Sequence, residues 1–342
     1  MYFLLESEGL DCVLYHAAQV KALPGRPKTD KLDSAWLAKI TERGALPGSF
    51  VPPEEIRRLR THTRYRRHLT QARTAEKQRV EKLLEDAQIK LSVVVSDIFG
   101  VSGRQMLAAL IAGQRDPAAL AQLARGVMRG KITALQEAFT GYFTDHHAFL
   151  LQQMLAWVDA IDAGIAALDG KIEEMIAPFA AAARRLDEIP GINSIAACVI
   201  LAEAGIDMDR FPTAGHLIPR AKFAPGVKES AGKKKGRNTA GHGNSCLARV
   251  LGNAAVSAGR TDTFPGERYR RIARRRGRKK AVVAIGRSML VIIWHLLADP
   301  DARYADLGSD FYDTRINPER RRRNHIRQLE ALGYKVILEP AA

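Results

Sequence analysis

Three groups of residues have types and spacings that could do chemistry. Ser230 stands in a Gly- and Lys-rich stretch, Pro225 to Ala255, between Glu229 and a basic run of Lys233, Lys234, Lys235 and Arg237. A serine hydroxyl is a weak nucleophile at neutral pH. It needs a base nearby and a positive field on the group it attacks. Lys228, the lysine run and Arg237 supply candidate charge, and His242 is a candidate proton acceptor or phosphate contact. The same residues also suit an ordinary polar loop. Asp30 and Asp33 are the second group. They lie at i and i+3 of a helix that Thr29 can cap, so both carboxylates leave one face of the first turn. Two close carboxylates repel unless a cation sits between them, and Mg2+ takes oxygen ligands while leaving room for phosphate. Acids in a first helical turn are favoured by the helix dipole alone, so spacing leaves both readings open. The third group is the run GERYRRIARRRGRKK, Gly266 to Lys280, which includes Arg274, Arg275 and Arg276 and reads as a patch against a nucleic-acid backbone.

The bulk of the chain agrees with a polyanion partner. Its 342 residues carry a formal net charge of +16, clustered rather than spread. The hydrophobic fraction of 46% is enough for the cores of two or three domains, and frequent Ala and Leu favour helices over sheets. Cys12, Cys198 and Cys246 are far apart, with no C-x-x-C and no zinc spacing, and read as free thiols in a reducing cytoplasm. No run of 18 apolar residues occurs, so the sequence predicts no membrane span, and the N-terminus does not read as a signal peptide.

These groups must be positioned by elements that the pattern predicts. Met1–Gly9 reads as the end of an amphipathic helix closed by glycine, and Leu10–His16 as a buried strand. A helix that ends so early and feeds such a strand reads as a domain cut into, as a misplaced start or a truncated copy would give. After Pro52 and Pro53 a helical pattern runs on from Glu54, with Ile56, Leu59, Leu69, Val80, Leu83, Ala87, Leu91 and Val94 along a heptad-like seam. Its first half carries Arg57, Arg58, Arg60, Arg64, Arg66, Arg67 and Arg73, predicting a helix that lies on a nucleic-acid backbone, against the alternative of a solvated face. A second seam follows: Leu150, Met154, Trp157, Ile161, Ile165, Leu168, Ile172, Ile176 and Phe179. The two long helices could pair with each other or with a second protomer, and an oligomer is the favoured expectation. Leu186–Glu203 reads as helix, Pro-Gly turn, helix, similar to a helix-hairpin-helix, with Asn193 tolerating the left-handed backbone of the usual second glycine. Ala281–Ala298 reads as an apolar core helix, Tyr304–Thr314 as a linker, and the tail as the basic run Arg320–Arg323, a helix and a strand.

Two of these stretches resemble one family. Lys28, Thr29, Asp30, Asp33 and Ser34 match K-T-D-x-x-D-(A/S) at the end of the RuvC-like DEDD domain of insertion-sequence family one-ten transposases, the group that includes the Piv/MooV invertases and the bridge-RNA-guided recombinases. Pro190, Gly191, Ile192, Ala196, Arg210, Phe211, Ala224, Pro225, Glu229 and Ser230 match the family's C-terminal domain, with Gly243, Leu247, Arg249, Leu251, Ala254 and Ala255 completing it. Ala231 departs from the family's E-S-G. Two further acids of the family's metal quartet, in a G-x-D and an E-A-T-G context, have no counterpart here, so half of that quartet is present.

The resemblance implies a mainly α fold: a remnant of a RuvC-like (RNase H-like) α/β domain at 1–50, long coiled-coil helices at 51–185, a helical C-terminal serine transposase domain at 186–300 that begins with the hairpin, and a basic tail at 301–342. It implies a DNA transposase or site-specific recombinase with Ser230 as nucleophile and Asp30 and Asp33 at a Mg2+ site. Lys28, Lys233, Lys234, Lys235, Arg237, Arg249, Arg274, Arg275 and Arg276 would contact nucleic acid. The implied partners are DNA, a structured guide RNA and further copies of the chain, as a dimer or tetramer, in the bacterial cytoplasm at the nucleoid. The alternatives are an inactive truncated copy that only binds nucleic acid, and a metal-dependent junction nuclease.

Overall fold

The computed structural model describes residues 2–23, 29–46, 48–224, 229–230, 232–234, 243–315 and 318–339; of Asp30, Glu229, Ser230 and Lys234 it describes the backbone. The fold is mainly α, and the chain divides into two compact units at Arg57/Arg58.

The first unit holds α1 (Tyr2–Ser7), α2 (Ala17–Ala22) and α3 (Asp30–Glu42). Gly9 ends α1 as the pattern predicts: at φ +74° its N–H donates to Glu6 O and the next N–H, of Leu10, to Leu5 O. Thr29 has the extended backbone of an N-cap for α3, without a side-chain cap bond. The predicted buried strand Leu10–His16 does not form. Among the described residues it makes one isolated bridge, Leu14 to Ser49, and Leu10, Val13 and Leu14 are about half exposed. A strand needs a neighbour for its backbone groups and a face to cover its side chains, and this unit supplies neither beyond that bridge. The expected RuvC-like α/β remnant is therefore not visible as a sheet. Arg57 closes the unit onto α1, pairing with Glu6 and lying 4.5 Å from the Phe3 ring centre.

In the second unit two long helices run antiparallel, α4 (Glu54–Asp86) and α9 (Asp145–Ile176). Arg66 pairs with Asp169 and Arg73 with Asp162, so a heptad forward on α4 is a heptad back on α9. Between these two bridges Leu69 packs on Gly164, where a Cβ would come within 3.3 Å of its Cδ1. The seams thus pair with each other inside one chain. Their far end is filled by α5 (Leu91–Val94), α6 (Val101–Ile111), α7 (Pro117–Gln122) and α8 (Ile132–Ala138), whose Met106, Leu107, Leu110, Leu120 and Leu135 share a core with Val80, Leu84, Leu151 and Leu155. Each fully buried leucine there contributes about 1.5–3 kcal/mol. This explains a register difference on α9. The predicted knob Trp157 is 56% exposed while its neighbour Val158 is buried, because this half of the helix faces that added core as well as α4.

The C-terminal part is a helical domain built of α10 (Ala180–Asp187), α11 (Ser194–Ala204), α12 (Ala214–Leu217), α13 (Ser245–Ala258), α14 (Phe264–Arg276) and α15 (Arg278–Ala298), with α16 (Phe311–Thr314) and α17 (Pro318–Ala331) after it. Leu186, Ile200, Leu201, Leu247, Leu251, Ile285, Met289 and Ile293 form its core. Among the described residues α15 is the one helix long and apolar enough to cross a membrane. Here it is a core helix, with Ile285, Met289, Leu290 and Ile293 buried where α15 packs against α10, α12 and α13. The α10–α11 hairpin forms, but Asn193 is not left-handed: at φ −111° it caps α11, its side chain accepting from Ala196 N. The left-handed residue is Gly191, φ +91°, pressed onto α13 so closely that a Cβ would fall 2.3 Å from Ala254 O.

Two tail expectations change. The stretch from Tyr304 is a packed strap rather than a linker, since Asp306 accepts from Phe264 N and Phe311 packs edge-on to Phe264 at 4.7 Å. Residues 334–339 are not a strand; no partner for them exists among the described residues.

Candidate active site

Ser230 lies in a two-stranded hairpin, β1 (Glu229–Ser230) and β2 (Lys233–Lys234). The register pairs Ser230 with Lys233 and Glu229 with Lys234. Gly232 takes φ +72°, which suits a tight hairpin. Ala231, the extra residue relative to E-S-G, lies outside the described residues. Lys233 is exposed. Lys235, Arg237 and His242 lie outside the described residues, as does Lys28.

On either side of the hairpin the described chain continues at Ala224 and at Gly243. The Gly243 end is pinned. Asn244 N donates to Arg220 O at 2.6 Å, and a Cβ on Gly243 would meet Arg220 O at 2.7 Å and Pro219 O at 2.8 Å. Asn244 also caps α13, its Oδ1 accepting from the backbone of Cys246 and Leu247, while its Nδ2 donates to Glu203 at 2.6 Å.

Glu203 is the centre of this anchor and is fully buried at the end of α11. Arg64 on α4 grips it with two parallel bonds, Nε to Oε1 at 2.7 Å and a terminal nitrogen to Oε2 at 2.9 Å. Arg60 Nε stands 3.4 Å from the same carboxylate and donates to Ala202 O at 2.8 Å. Arg220 donates twice to Glu203 O, at 3.2 and 3.1 Å. Burial alone would push the Glu203 carboxyl up, but the bonds from Arg64 and Asn244 and the charges of Arg64 and Arg60 outweigh it and hold the group below the usual carboxylate range. The bond to Glu203 raises the Arg64 guanidinium. Burial lowers Arg60 and Arg220, and in each the charge of neighbouring arginines adds to the fall. Neither loses its charge at neutral pH.

Most of the arginines predicted to form a nucleic-acid face on α4 are therefore engaged within the protein. Arg57, Arg60, Arg64, Arg66 and Arg73 are all in contact with acids, namely Glu6, Glu203, Asp169 and Asp162. The local sequence shows few acids because these partners come from other segments. The exposed basic surface lies elsewhere. Arg274, Arg275 and Arg276 end α14, and Arg278, Lys279 and Lys280 begin α15, all exposed around Gly277. Arg249 is exposed on α13.

Asp30 and Asp33 both fall in the first turn of α3, as the spacing requires. Among the described residues no group of three or more His, Cys, Asp or Glu gathers to hold a metal. The pair lies in the first unit, apart in sequence from Ser230 in the second.

Comparison with known families decides what these two parts are. The model described as "Transposase", the DEDD domain of the IS110 group, matches residues 1–89, and the model described as "Transposase IS116/IS110/IS902 family" matches residues 183–270. The chain belongs to the IS110 family of transposases. The first match takes in Asp30 and Asp33, and the second takes in Ser230, Glu203 and Asn244. No curated relative matches the chain. As an IS110-family transposase it is of a DNA-binding, DNA-processing kind, and its DEDD domain is of a type that uses divalent metal.

Glu203, Asn244 and Arg220 were not legible as site residues. One signal was present: Glu203 is a lone acid in the apolar run IAACVILAEA, where a buried carboxylate requires a partner.

Proposed function

We propose that this transposase breaks and rejoins DNA through Ser230, with Asp30 and Asp33 contributing to a Mg2+ site. The observation that carries the reading is the hairpin register. It sets Lys233 across the ladder from Ser230, in a loop anchored by Asn244 to a buried, charged centre. The cationic run that follows the serine in the sequence would supply the field that a phosphodiester oxygen needs as it is attacked. Attack by the Ser230 hydroxyl forms a serine–phosphate ester and releases the DNA hydroxyl, while the serine proton passes to a base. A second hydroxyl then attacks that ester and releases the serine. The phosphodiester energy is kept, so strands exchange without ATP.

The donor set of Asp30 and Asp33 fits a Mg2+ ion that keeps waters and takes its remaining ligands from phosphate, not a closed metal cage. Such an ion would stabilise charge on the phosphate being transferred. Both carboxylates would hold it from one helical turn. Further ligands would come from substrate or from another copy of the chain, and a homo-oligomer is part of the reading. A structured RNA as guide, and action at the bacterial nucleoid, belong to the same proposal by family resemblance.

Paired substitutions test this. Ser230→Ala is expected to abolish strand exchange and retain DNA binding, and Asp33→Asn or removal of Mg2+ to do the same. Metal-dependent cutting that survives Ser230→Ala would point instead to a nuclease. DNA binding with no strand exchange in the unsubstituted protein would point to an inactive copy.

A further inference from the structure

The anchor beneath the Ser230 loop holds more positive charge than it needs. Arg60, Arg64 and Arg220 surround Glu203; Arg67 donates to Cys246 Sγ at 3.1 Å, beside the Asn244 cap; and Arg210 lies near enough for its charge to act on Arg220. Among the described residues, the carboxylates paired with these guanidiniums are Glu203 and Asp207, the latter 3.6 Å from Arg210 Nε. Arg64 alone satisfies Glu203 in bidentate geometry, so neutralising that carboxylate does not explain the other arginines.

Donors are also left over. Arg60 spends Nε and one terminal nitrogen on the carbonyls of Ala202 and Glu203, and Arg220 spends the same two on Glu203 O. The second terminal nitrogen of each has no hydrogen-bond partner among the described residues. Arg67 Nε is buried without one. The cluster is not sealed, since the Arg64 side chain is 45% exposed and that of Arg210 22%. Like charges held together and partly buried raise the energy of the empty site, and an arriving anion offsets that cost. Planar forks with free N–H groups match the oxygens of a phosphate.

We propose that Arg60, Arg67, Arg210 and Arg220, braced by the Arg64–Glu203 pair, form a binding site for one phosphodiester of the DNA strand presented to the Ser230 loop. Glu203 is a positioning residue in this account: it fixes Arg64, orders the carbonyls that hold Arg60 and Arg220, and through Asn244 fixes where the loop returns. The assignment to DNA rests on the reading of Ser230 given above. The phosphate chemistry rests on the cluster alone, and RNA offers the same group.

The test is equilibrium binding of the full chain to a DNA duplex and to an RNA of equal length across a salt series, comparing the unsubstituted protein with Arg67→Gln. Binding is read without strand cleavage, so its outcome is separate from that of Ser230→Ala. The expected result for Arg67→Gln is a loss of about ten-fold in DNA affinity. The slope of log K against log salt should also become shallower by about 0.9, the value for one phosphate. A duplex with a single neutral methylphosphonate should lose affinity for the unsubstituted protein at one position, and little at that position for Arg67→Gln. Unchanged DNA affinity and slope in a folded Arg67→Gln protein overturns the proposal, and a loss confined to RNA overturns its assignment to DNA. Should Arg67→Gln fail to fold, Arg210→Gln on the same scales decides it.

Discussion

Arg64 reaches from the long helix α4 to grip Glu203 at the end of α11 with bonds of 2.7 and 2.9 Å, and the carboxylate it grips is entirely buried. One ion pair therefore fastens the rod to the domain that carries Ser230, and Asn244 passes that constraint to the loop. The chemistry proposed for the loop depends on this anchor holding its shape.

Removing one partner of such a pair leaves uncompensated charge. Glu203→Ala is expected to cost about 3–5 kcal/mol in denaturant unfolding, and Glu203→Gln less. The pH dependence follows in sign. Glu203 titrates below its ordinary value of 4.5, so its contribution is complete above that value and is lost as pH falls through the lower, folded value. Stability measured from about pH 6 downward should therefore fall more steeply in the unsubstituted protein than in Glu203→Gln, which lacks this one titrating group. Parallel curves would show that the pair contributes nothing.

Two glycines separate backbone strain from crowding. Gly191 and Gly113 both have positive φ, +91° and +95°, but a Cβ meets Ala254 O at 2.3 Å at the first and nothing within 4 Å at the second. Gly113→Ala is expected to lose about 1–3 kcal/mol from φ alone. Gly191→Ala should lose clearly more, because the hairpin must lift off α13. Equal losses in thermal unfolding would contradict the close packing of hairpin and α13.

The legible part of the molecule was what local pattern controls. Helix type, the Gly9 stop and the Pro-Gly hairpin follow from propensity and turn chemistry. The pairing of Arg64, Arg66 and Arg73 was not legible because their partners, Glu203, Asp169 and Asp162, lie about a hundred residues away or more in sequence, beyond any window of periodicity. The α9 seam was right at Ile161, Ile165 and Ile172 and displaced by one residue at Trp157, where a second core competes for the helix. At the candidate site, Ser230 and the Asp pair stood out by residue type and spacing. The arginine anchor did not, because it is assembled from α4, α11 and the segment around Arg220.

The exposed basic corner of α14 and α15 should bind backbone phosphate without reading sequence. Arg278, Lys279 and Lys280 sit at a helix N-terminus, where the dipole opposes them, so their presence costs stability in the free protein. Arg275→Ala, Arg276→Ala and Lys279→Ala together are expected to flatten the salt dependence of DNA binding by about 0.9 for each phosphate that these side chains neutralise. Melting temperature should hold or rise slightly. An unchanged slope would place the DNA path elsewhere.

The central claim is that Ser230 becomes covalently joined to DNA. Incubating the transposase with its DNA substrate and Mg2+, denaturing, digesting and sequencing the DNA-linked peptide by mass spectrometry tests it most directly. The account predicts a nucleotide attached through phosphate to Ser230, and no adduct from Ser230→Ala. Strand exchange that proceeds with no serine–phosphate link, or with the link on another residue, would contradict it.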